Sequence, residues 1–305
     1  MNAARAAVSS FFSALRFPRR NGNGTALISG FSPPIPPKIG LALGGGFARG
    51  IAHAGVLRAF ERHDIPIHCI AGVSAGSIAA AAYASGASPD EIASAGCAMR
   101  FGDVARWSLC RMGFVVSERM TRFLRRLLKC YTFEEMRIPL GVAATDLAAG
   151  KPVLFRGHGD VFLPIRASCA YPGLFQPVHH EGRILVDGAM SMEVPALLCR
   201  ELGATHVVAV HLSTQWDAYV PGNMFQVVNR CFQIMQSRTE SSWRAHANLV
   251  VSPDVRGVEW DGFIHGADLI EAGAAAGREA LPVLRRWLEG PSGRPPLAMP
   301  DSIPA

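Results

Sequence analysis

Two short, mainly apolar runs, each ended by a glycine-rich turn, constrain the fold of this chain more than any other feature. KIGLAL (38–43) leads into three consecutive glycines, and IHCIAG (67–72) leads into GVSAG. Apolar runs of four to eight residues that end at glycine are typical of strands buried on both faces. A pattern of small and apolar residues at helical spacing follows each run, over 49–62 and 77–86. Strand–turn–helix units of this kind predict a buried, parallel sheet.

The alternation of strands and helices continues along the rest of the chain. Further strand candidates are 138–147, 151–155, 182–188, 205–212 and 248–253, and further helix candidates are 191–203 and 267–290. Such alternation is the pattern of a sheet with helices on both of its faces. The sequence therefore predicts an α/β fold, a three-layer α/β/α domain with a mainly parallel central sheet.

Proline and glycine mark the predicted domain limits. FSPPIPP closes residues 1–37, which we expect to be an N-terminal tail with a proline-rich linker, because proline disfavours helix and removes backbone donors. Residues 38–290 form the predicted domain, and the proline- and glycine-rich residues 291–305 form a predicted flexible tail. Most of the charge near the apolar stretch 6–17 follows it, which favours a loose tail or an interfacial helix over a secretory signal. A signal or transit peptide stays open as an alternative.

Composition excludes some classes of protein, among them disordered chains. With 49% hydrophobic and 18% charged residues, the chain has the material for a large core and is not disordered by composition. A net charge of +6 suggests an anionic surface or ligand, although a genome rich in arginine codons accounts for it equally well. The seven cysteines lack metal-ligand spacing, so we predict buried thiols in a reducing compartment and a cytoplasmic protein. No run of the sequence is long and apolar enough to span a bilayer.

The first motif that carries chemistry is GVSAG, residues 72–76. It follows a predicted buried strand and precedes a helix of small residues, which is the context of a nucleophile elbow. Gly72 and Gly76 let the chain turn sharply around Ser74 without clashes. The alternative interpretation is a serine that caps a helix in a tight turn.

The second motif, LGGGFARG (43–50), follows the first strand. A glycine-rich turn between strand and helix presents bare N–H groups that bind a phosphate or an oxyanion equally well. The dinucleotide pattern G-x-G-x-x-G fits poorly, since Arg49 stands at the third glycine, and no Gly-Lys-Ser/Thr follows as in a phosphate-binding loop. A nucleotide-binding regulatory module therefore remains as an alternative to an oxyanion hole.

The third motif is VDGA, residues 186–189, at the end of the predicted strand GRILV. Asp187 followed by glycine and alanine indicates a sharply turned, accessible carboxylate, and taken alone it is equally an ordinary Asp-Gly turn. Asp146, at another strand end, is interpreted as structural or as support for the site.

Together these motifs resemble the patatin-like phospholipase family. IGLALGGGFARGIAHAGVLRAF and IAGVSAGSIAAAAYASG are most similar to its bacterial and neuropathy-target-esterase-like branch, and RASCAYPGLFQPV (166–178) and FIHGADLIEAGAAAG resemble further segments of that branch. The resemblance extends over residues 38–290 and implies the patatin-like variant of the three-layer fold.

The resemblance implies a catalytic dyad in which Ser74 is the nucleophile and Asp187 the general base. It also implies an oxyanion hole in the glycine-rich turn, flanking glycines at the elbow, and an Asp-Gly-Ala motif. The residues at those positions are Gly44, Gly45, Gly46, Phe47, Arg49 and Gly50 for the hole, Gly72 and Gly76 for the elbow, and Gly188 and Ala189 after the aspartate. Phe47 departs from the family pattern, which has glycine there, and phenylalanine lacks glycine's access to positive φ.

The implied reaction is hydrolysis of acyl esters of phospholipids or lysophospholipids, with no cofactor and no metal. Asp187 takes the proton of Ser74 as the hydroxyl attacks the ester. A transacylase or a thioesterase on the same fold is an alternative. A Ser-Asp-His triad is another, with His211 or His265 in the chain order of an α/β-hydrolase. We expect a lipid partner and no nucleic-acid partner, and the oligomeric state stays undetermined.

Two segments are candidates for contact with a membrane or substrate. Residues 106–133 combine arginines with apolar residues, and from Ser117 onward the apolar residues share a helical face. This pattern predicts either a basic amphipathic lid at anionic lipid or a helix packed on the core with a solvated basic face. Residues 216–236 are rich in aromatic residues and methionine and suggest a substrate-lining or dimer surface. The expected location is cytoplasmic and peripheral to the membrane.

Overall fold

The computed structural model describes residues 37–110, 112–212, 220–259 and 261–289. Apart from Pro37, the predicted tails 1–37 and 291–305 lie outside these residues. In the described part of the chain, no helix is long and apolar enough to cross a membrane.

The described residues form one eight-stranded sheet and one two-stranded hairpin. The strands are β1 (Ile39–Leu43), β2 (Cys69–Gly72), β3 (Arg106–Cys110), β4 (Gly113–Val116), β5 (Leu140–Asp146), β6 (Lys151–Arg156), β7 (Val178–His180), β8 (Arg183–Val186), β9 (His206–Val210) and β10 (Leu249–Val251). The large sheet has the order β10-β9-β1-β2-β5-β8-β7, with β6 also paired to β5. Strands β10, β9, β1, β2 and β5 pair in parallel, β6 and β8 pair antiparallel with β5, and β7 pairs antiparallel with β8.

The helices cover both faces of this sheet. They are α1 (Ala52–Arg62), α2 (Ala75–Ser85), α3 (Pro89–Ala98), α4 (Phe101–Val104), α5 (Glu118–Leu127), α6 (Phe162–Ser168), α7 (Ala196–Glu201), α8 (Met224–Arg244) and α9 (Gly266–Glu289). Short 3-10 turns begin within the two motifs, at Phe47–Ile51 after the three glycines and at Gly188–Met190 after Asp187.

Successive side chains of the central strands enter two separate cores. Leu41 and Leu43 of β1 pack in the larger core with the helices α1, α2 and α9, whereas Ala42 packs in the smaller one with Leu198 of α7 and Trp243 of α8. Because side chains alternate along a strand, apolar residues on both faces require cover on both faces. The predicted three-layer α/β/α fold with a mainly parallel sheet is confirmed.

The segment 106–133 begins as the β3–β4 hairpin and continues as helix α5. Within the helix, Met120, Leu124 and Leu127 are buried, while its arginines lie on the exposed side. The apolar face is therefore already packed on the core. Of the two interpretations, the helix with a solvated basic face describes this segment, and Arg111 lies outside the described residues.

The cysteines are only partly buried. Cys69, Cys169 and Cys199 are buried, but Cys97 and Cys231 are exposed. The prediction of buried thiols is therefore wrong for the last two, which lie near the end of α3 and within the largely exposed α8.

Helices α1 and α9 cross with their backbones in contact, and glycine makes this approach possible. A Cβ on Gly55 would overlap the carbonyl oxygen of Ile270, and one on Gly273 would overlap that of Ala52. A third glycine of the crossing, Gly277, faces the Cβ of Ala59. The run of small residues at positions 272–277 of α9 thus allows the two helices to lie this close.

We expect Gly273→Ala to lower the free energy of unfolding by about 1–3 kcal/mol, because the added methyl group forces the two helices apart. Urea unfolding followed by circular dichroism measures the change. Gly102→Ala in α4 is the matched control, since a Cβ at Gly102 meets nothing within 4 Å. Equal stability of the two variants would contradict the crossing as described.

Candidate active site

The three chemistry-bearing motifs meet at one end of the sheet because two strands run toward each other along one edge of β5. β2 pairs in parallel with the first part of β5, with Gly72 opposite Val142. β8 pairs antiparallel with its end, with Val186 opposite Thr145. Strands β2 and β8 therefore both end near the middle of β5. Ser74 follows one strand and Asp187 the other, so residues 113 positions apart in sequence become neighbours.

The hydroxyl of Ser74 donates a hydrogen bond to Asp187. The distance from Ser74 Oγ to Asp187 Oδ2 is 2.7 Å. Ser74 is 8% exposed and Asp187 only 2% exposed. The other carboxylate oxygen, Oδ1, accepts from the backbone N–H of Ala189 at 2.9 Å. A serine and a base within hydrogen-bonding range form the geometry of an activated nucleophile.

The backbone around Asp187 is held on every side. Its N–H donates to the carbonyl of Ala170 at 2.9 Å, and its own carbonyl accepts from Thr145 Oγ1 at 2.9 Å. Gly188 lies so close to β5 that a Cβ there would overlap the carbonyl oxygen of Ala143. The glycine of the Asp-Gly-Ala motif is thus required for the close approach that carries the carboxylate to Ser74.

Burial raises the pKa of Asp187 to about 7 from its ordinary value of 3.8. Desolvation is the main cause, and the hydrogen bonds from Ala189 and Ser74 lower the pKa in part. A carboxylate with a pKa near neutrality is a far better proton acceptor than an exposed aspartate, and such matching is typical of catalytic bases.

Ser74 is held in a strained backbone conformation, with φ 52° and ψ −128°. Its N–H donates to Ser168 Oγ at 2.8 Å, and Ser168 Oγ donates in turn to the carbonyl of Ala143 at 2.7 Å. Ser77 Oγ donates to the carbonyl of Ser74 at 2.6 Å. Positive φ in a serine costs about 1–3 kcal/mol and is maintained only where the surroundings hold it.

The position of the Ser74 side chain distinguishes a nucleophile from the alternative interpretation, a serine that caps a helix. Ser74 occupies the N-cap position of α2, but its side chain makes no capping hydrogen bond. The hydroxyl faces Asp187 instead. Cys169 and Ser77 lie behind it, with 3.9 Å between Cys169 Sγ and Ser77 Oγ. The geometry is therefore that of a nucleophile elbow and not of a cap.

The flanking glycines of the elbow leave no room for a side chain. A Cβ on Gly72 would lie 2.5 Å from Ser77 Cα, and one on Gly76 would lie 2.5 Å from the carbonyl oxygen of Gly44. Helix α2 therefore starts directly against the glycine-rich turn. Such contact places backbone groups of the turn beside the serine.

The glycine-rich turn divides into residues that face Ser74 and residues that hold the turn in place. A Cβ on Gly45 would lie 3.3 Å from Ser74 Cβ, and the N–H groups of Gly45 and Gly46 make no hydrogen bond within the described residues. In contrast, the N–H of Gly44 donates to the carbonyl of Val210 at 3.1 Å, and that of Arg49 to the carbonyl of Gly46 at 3.1 Å. A Cβ on Gly50 would lie 2.5 Å from Ala75 Cβ, so Gly50 serves close packing.

Phe47 adopts φ 50°, the conformation for which the usual glycine is suited. Its ring packs edge-on against Tyr171 at 4.9 Å between centroids. The side chain of Arg49 donates from Nε to the carbonyl of Val258 at 2.9 Å. Both side chains thus anchor the turn to neighbouring segments, at the cost of strain at Phe47.

Neither histidine of the triad alternative lies on the Ser74–Asp187 pair. His211 Nε2 is 3.0 Å from Glu193 Oε1, and Glu193 Oε2 accepts from Trp243 Nε1 at 3.0 Å. His265 is exposed and lies 3.8 Å from Asp268. Asp146 accepts from the N–H groups of the turn that follows β5, a structural role. The geometry gives no support to a histidine base.

Two cavities open at Ser74, and Phe47 lines both. The first has a volume of about 70 Å³ and a mixed lining, in which the polar residues Asp187, Glu193 and Asn229 stand beside apolar ones such as Leu212 and Phe232. The second has a volume of about 60 Å³ and is almost wholly apolar. Its lining is Phe47, Ser74, Ala75, Ile78, Met99, Phe101, Val104, Met120, Cys169, Phe175 and Phe263.

Helix α8 forms one wall of the first cavity, the one with the mixed lining. Asn229, Phe232, Gln233 and Gln236 line it, and Tyr171 Oη donates to Asn229 Oδ1 at 3.1 Å. The prediction that 216–236 lines the substrate therefore has geometric support in its helical part. Residues 213–219, with the aromatic residues at 216 and 219, lie outside the described residues.

Sequence reasoning missed the residues that support the dyad. Ser168 and Thr145 are buried polar residues inside apolar elements, and both hold backbone at the site. A lone serine in the apolar segment RASCAYPGLFQPV was the available signal, because a buried hydroxyl needs a partner.

Comparisons with known proteins agree with this architecture. The model of the family described as Patatin-like phospholipase matches residues 41–200, just over half of the chain. An uncharacterized NTE family protein of Mycobacterium tuberculosis is 34% identical over 180 residues, which cover 58% of this chain and 49% of the relative. The lysophospholipase NTE1 of Mycosarcoma maydis is 31% identical over 184 residues, covering 58% of this chain and 10% of the relative.

Among solved structures, VipD from Legionella pneumophila has a TM-score of 0.51 at 14% identity and covers 82% of this chain and 67% of its own. That likeness concerns the fold alone. The chain spans about half the length of the mycobacterial relative and a smaller share of the fungal one. The predicted resemblance to the neuropathy-target-esterase-like branch is confirmed by the names of these relatives. The chain belongs to the patatin-like phospholipase family.

Proposed function

We propose that this protein is a serine acyl hydrolase that cleaves acyl esters of phospholipids or lysophospholipids. The observation that carries the proposal is the 2.7 Å hydrogen bond from a strained, buried serine to a buried carboxylate. Family membership and the presence of a lysophospholipase among the relatives agree with this chemistry.

In the first step, Ser74 Oγ attacks the ester carbonyl while its proton moves to Asp187 Oδ2. The raised pKa of Asp187, about 7, makes this transfer far easier than it would be for an exposed aspartate. The tetrahedral intermediate carries a negative oxygen. The N–H groups of Gly45 and Gly46 are the donors proposed for it, and a good donor contributes about 3–4 kcal/mol.

In the second step, the intermediate collapses, and the proton on Asp187 passes to the departing alcohol. An acyl ester on Ser74 remains. A water molecule then gives its proton to Asp187 and attacks the acyl carbon, and the fatty acid leaves as Ser74 recovers its proton. Asp187 thus acts as base and then acid in each half of the cycle, and no other titratable group is required.

The two cavities support a particular orientation of the substrate. The apolar carbons of the acyl chain nearest the ester would enter the cavity behind Phe47, lined by side chains such as Ile78, Met120 and Phe175. The oxygen of the leaving alcohol would face the cavity lined by Glu193 and Asn229. Ser74 lies at the junction of the two, where the bond to be cleaved would lie.

The exposed face of α5 is the proposed site of transient contact with a membrane. Arg119, Arg122, Arg125 and Arg126 are exposed, and Arg122 and Arg126 form no ion pair within the described residues. The opposite face of the same helix contributes Met120 to the apolar cavity. On the adjacent hairpin, Phe114 is 44% exposed. Basic side chains near anionic lipid contribute about 1 kcal/mol each.

The dyad is tested with a fluorophosphonate probe and an ester substrate. We expect Ser74→Ala to abolish labelling and to reduce ester hydrolysis by at least about 10³-fold, because no nucleophile remains. Asp187→Asn keeps the size of the side chain but removes the base, so we expect slow or absent labelling. Cys199→Ala, which changes a buried cysteine in α7 that lines neither cavity, is the control. Labelling of the Ser74→Ala protein would contradict the proposal.

The proposal also predicts the pH dependence of activity. Since only the ionised carboxylate accepts a proton, kcat/KM rises with pH and levels off above about 7, the pKa of Asp187. Below that pH we expect a decline of about tenfold per unit. A pH–rate profile with a stable ester measures it, and a midpoint near the ordinary aspartate value of about 4 would contradict the assignment.

The ionisation of Asp187 that is expected to raise activity is also expected to lower the stability of the fold. Because the folded pKa is raised, the fold favours the protonated carboxyl, so this contribution is complete below about pH 4 and is lost as pH rises through about 7. As pH is raised from about 4 to about 7, we expect the melting temperature of Asp187→Asn to increase relative to that of the wild type. A constant difference in Tm from pH 4 to 8 would show that the carboxyl is not desolvated as described.

Membrane contact is tested with a pair of double variants. We expect Arg122→Gln with Arg126→Gln to weaken binding to vesicles of phosphatidylcholine and phosphatidylglycerol by about 10- to 30-fold at low salt. Arg285→Gln with Arg286→Gln removes the same charge from exposed positions on α9 and should change binding little. Equal loss in the two pairs would assign the attraction to net charge and not to α5.

A further inference from the structure

His53 lies in α1, directly behind the glycine-rich turn, and is completely buried. Its Nε2 is 2.8 Å from the carbonyl oxygen of Gly44. A carbonyl oxygen only accepts hydrogen bonds, so Nε2 must carry the proton that is shared. The ring is therefore the Nε2–H tautomer, and Nδ1 is a bare acceptor.

The hydrogen bond from Nε2 to Gly44 leaves the other ring nitrogen, Nδ1, as a buried acceptor. Nδ1 has no hydrogen-bond partner within the described residues. A buried acceptor without a partner costs about 1–3 kcal/mol, which an apolar side chain at this position would avoid. Burial also lowers the pKa of His53 to about 4, so the ring stays neutral at physiological pH. An imidazole kept here despite that cost indicates that the Nε2–H bond to Gly44 is needed.

The partner of this bond belongs to the peptide unit that ends in the N–H of Gly45. In a trans peptide the C=O of one residue and the N–H of the next point in opposite directions. A donor that fixes the Gly44 carbonyl on the helix side therefore turns the Gly45 N–H toward the opposite side. Gly45 itself lies against the proposed nucleophile, since a Cβ there would be 3.3 Å from Ser74 Cβ.

Two further contacts leave this peptide unit few other ways to move. The N–H of Gly44 is bonded to Val210, and Gly76 at the start of α2 lies against the carbonyl of Gly44. The bond to Val210 belongs to the preceding peptide unit, and the contact with Gly76 limits the space around the Gly44 oxygen without donating a hydrogen bond to it. The Nε2–H of His53 is the donor that the described residues supply to this carbonyl, and it therefore directs the Gly44–Gly45 peptide plane.

We propose that His53 is a positioning residue that aims the Gly45 N–H at the developing oxyanion by holding the Gly44 carbonyl from behind. The inference rests on the proposed function, since it requires an oxyanion at Ser74. His53 touches no reacting atom. Its effect should therefore appear in transition-state binding and not in substrate binding.

The test compares His53→Gln with His53→Asn. Both introduce a neutral amide, but only the longer glutamine places an N–H donor where Nε2 stands. We expect Asn to lower kcat by about 10- to 100-fold with KM within about twofold, and Gln to stay within about fivefold of the wild type. A trifluoromethyl ketone, whose hemiketal oxygen on Ser74 occupies the oxyanion position, should bind the Asn variant more weakly by the same factor as kcat/KM.

Val56→Ala, a buried truncation in the same helix, is the control for lost stability, and melting temperatures are recorded for all variants. Equal kcat in the Asn and Gln variants, a loss confined to KM, or the same loss of kcat in Val56→Ala would overturn the inference. Each of these outcomes leaves the hydrolase proposal standing if the fluorophosphonate labels Ser74 of the wild type. Absence of that labelling would overturn the hydrolase proposal and this inference with it.

Discussion

The fold is arranged around a hydrogen bond between two side chains that are both withdrawn from water. Ser74 Oγ and Asp187 Oδ2 lie 2.7 Å apart, and the carboxylate is 2% exposed. A buried carboxylate is expensive unless it is bonded or protonated, which is why its pKa rises to about 7. The same desolvation that makes this aspartate unfavourable in the fold makes it a useful base. Exposure of Asp187 to water would remove this desolvation cost from the folded state, and it would also lower the pKa of the carboxyl.

Close backbone contacts at glycine residues bring Ser74 and Asp187 together. β2 and β8 approach each other along one edge of β5, and Gly188 lies directly against the carbonyl of Ala143. On the other side, Gly76 lies against the carbonyls of Leu43 and Gly44, which brings the start of α2 up to the glycine-rich turn. The motif glycines at these positions have no positive φ. Their role is close approach, so alanine would fail there for lack of space and not for backbone conformation.

Local pattern was enough to predict the strands that carry the site, since β1 and β2 are short apolar runs that stop at glycine. It did not reveal the hairpin at 106–116, because arginine and apolar residues at that spacing fit a helix as well as a strand. The expectation that Ser74 and Asp187 form a dyad came from the family resemblance, since an Asp-Gly turn by itself is common. Ser168 and Thr145 escaped notice because their importance depends on neighbours far along the chain, which periodicity does not report.

Several unfavourable features concentrate within a few residues of Ser74. Ser74 and Phe47 both have positive φ, Asp187 is a buried acid, and His53 carries an acceptor without a partner in the described chain. Each costs about 1–3 kcal/mol, and strain of this kind persists where the surroundings over-determine the local conformation. Those surroundings are the two apolar cores on either side of the sheet. A fold selected for stability alone would replace Phe47 by glycine and His53 by an apolar residue. The strained Ser74, the buried Asp187 and the imidazole of His53 are therefore better explained by the proposed reaction than by core packing, whereas the family pattern has glycine where Phe47 stands.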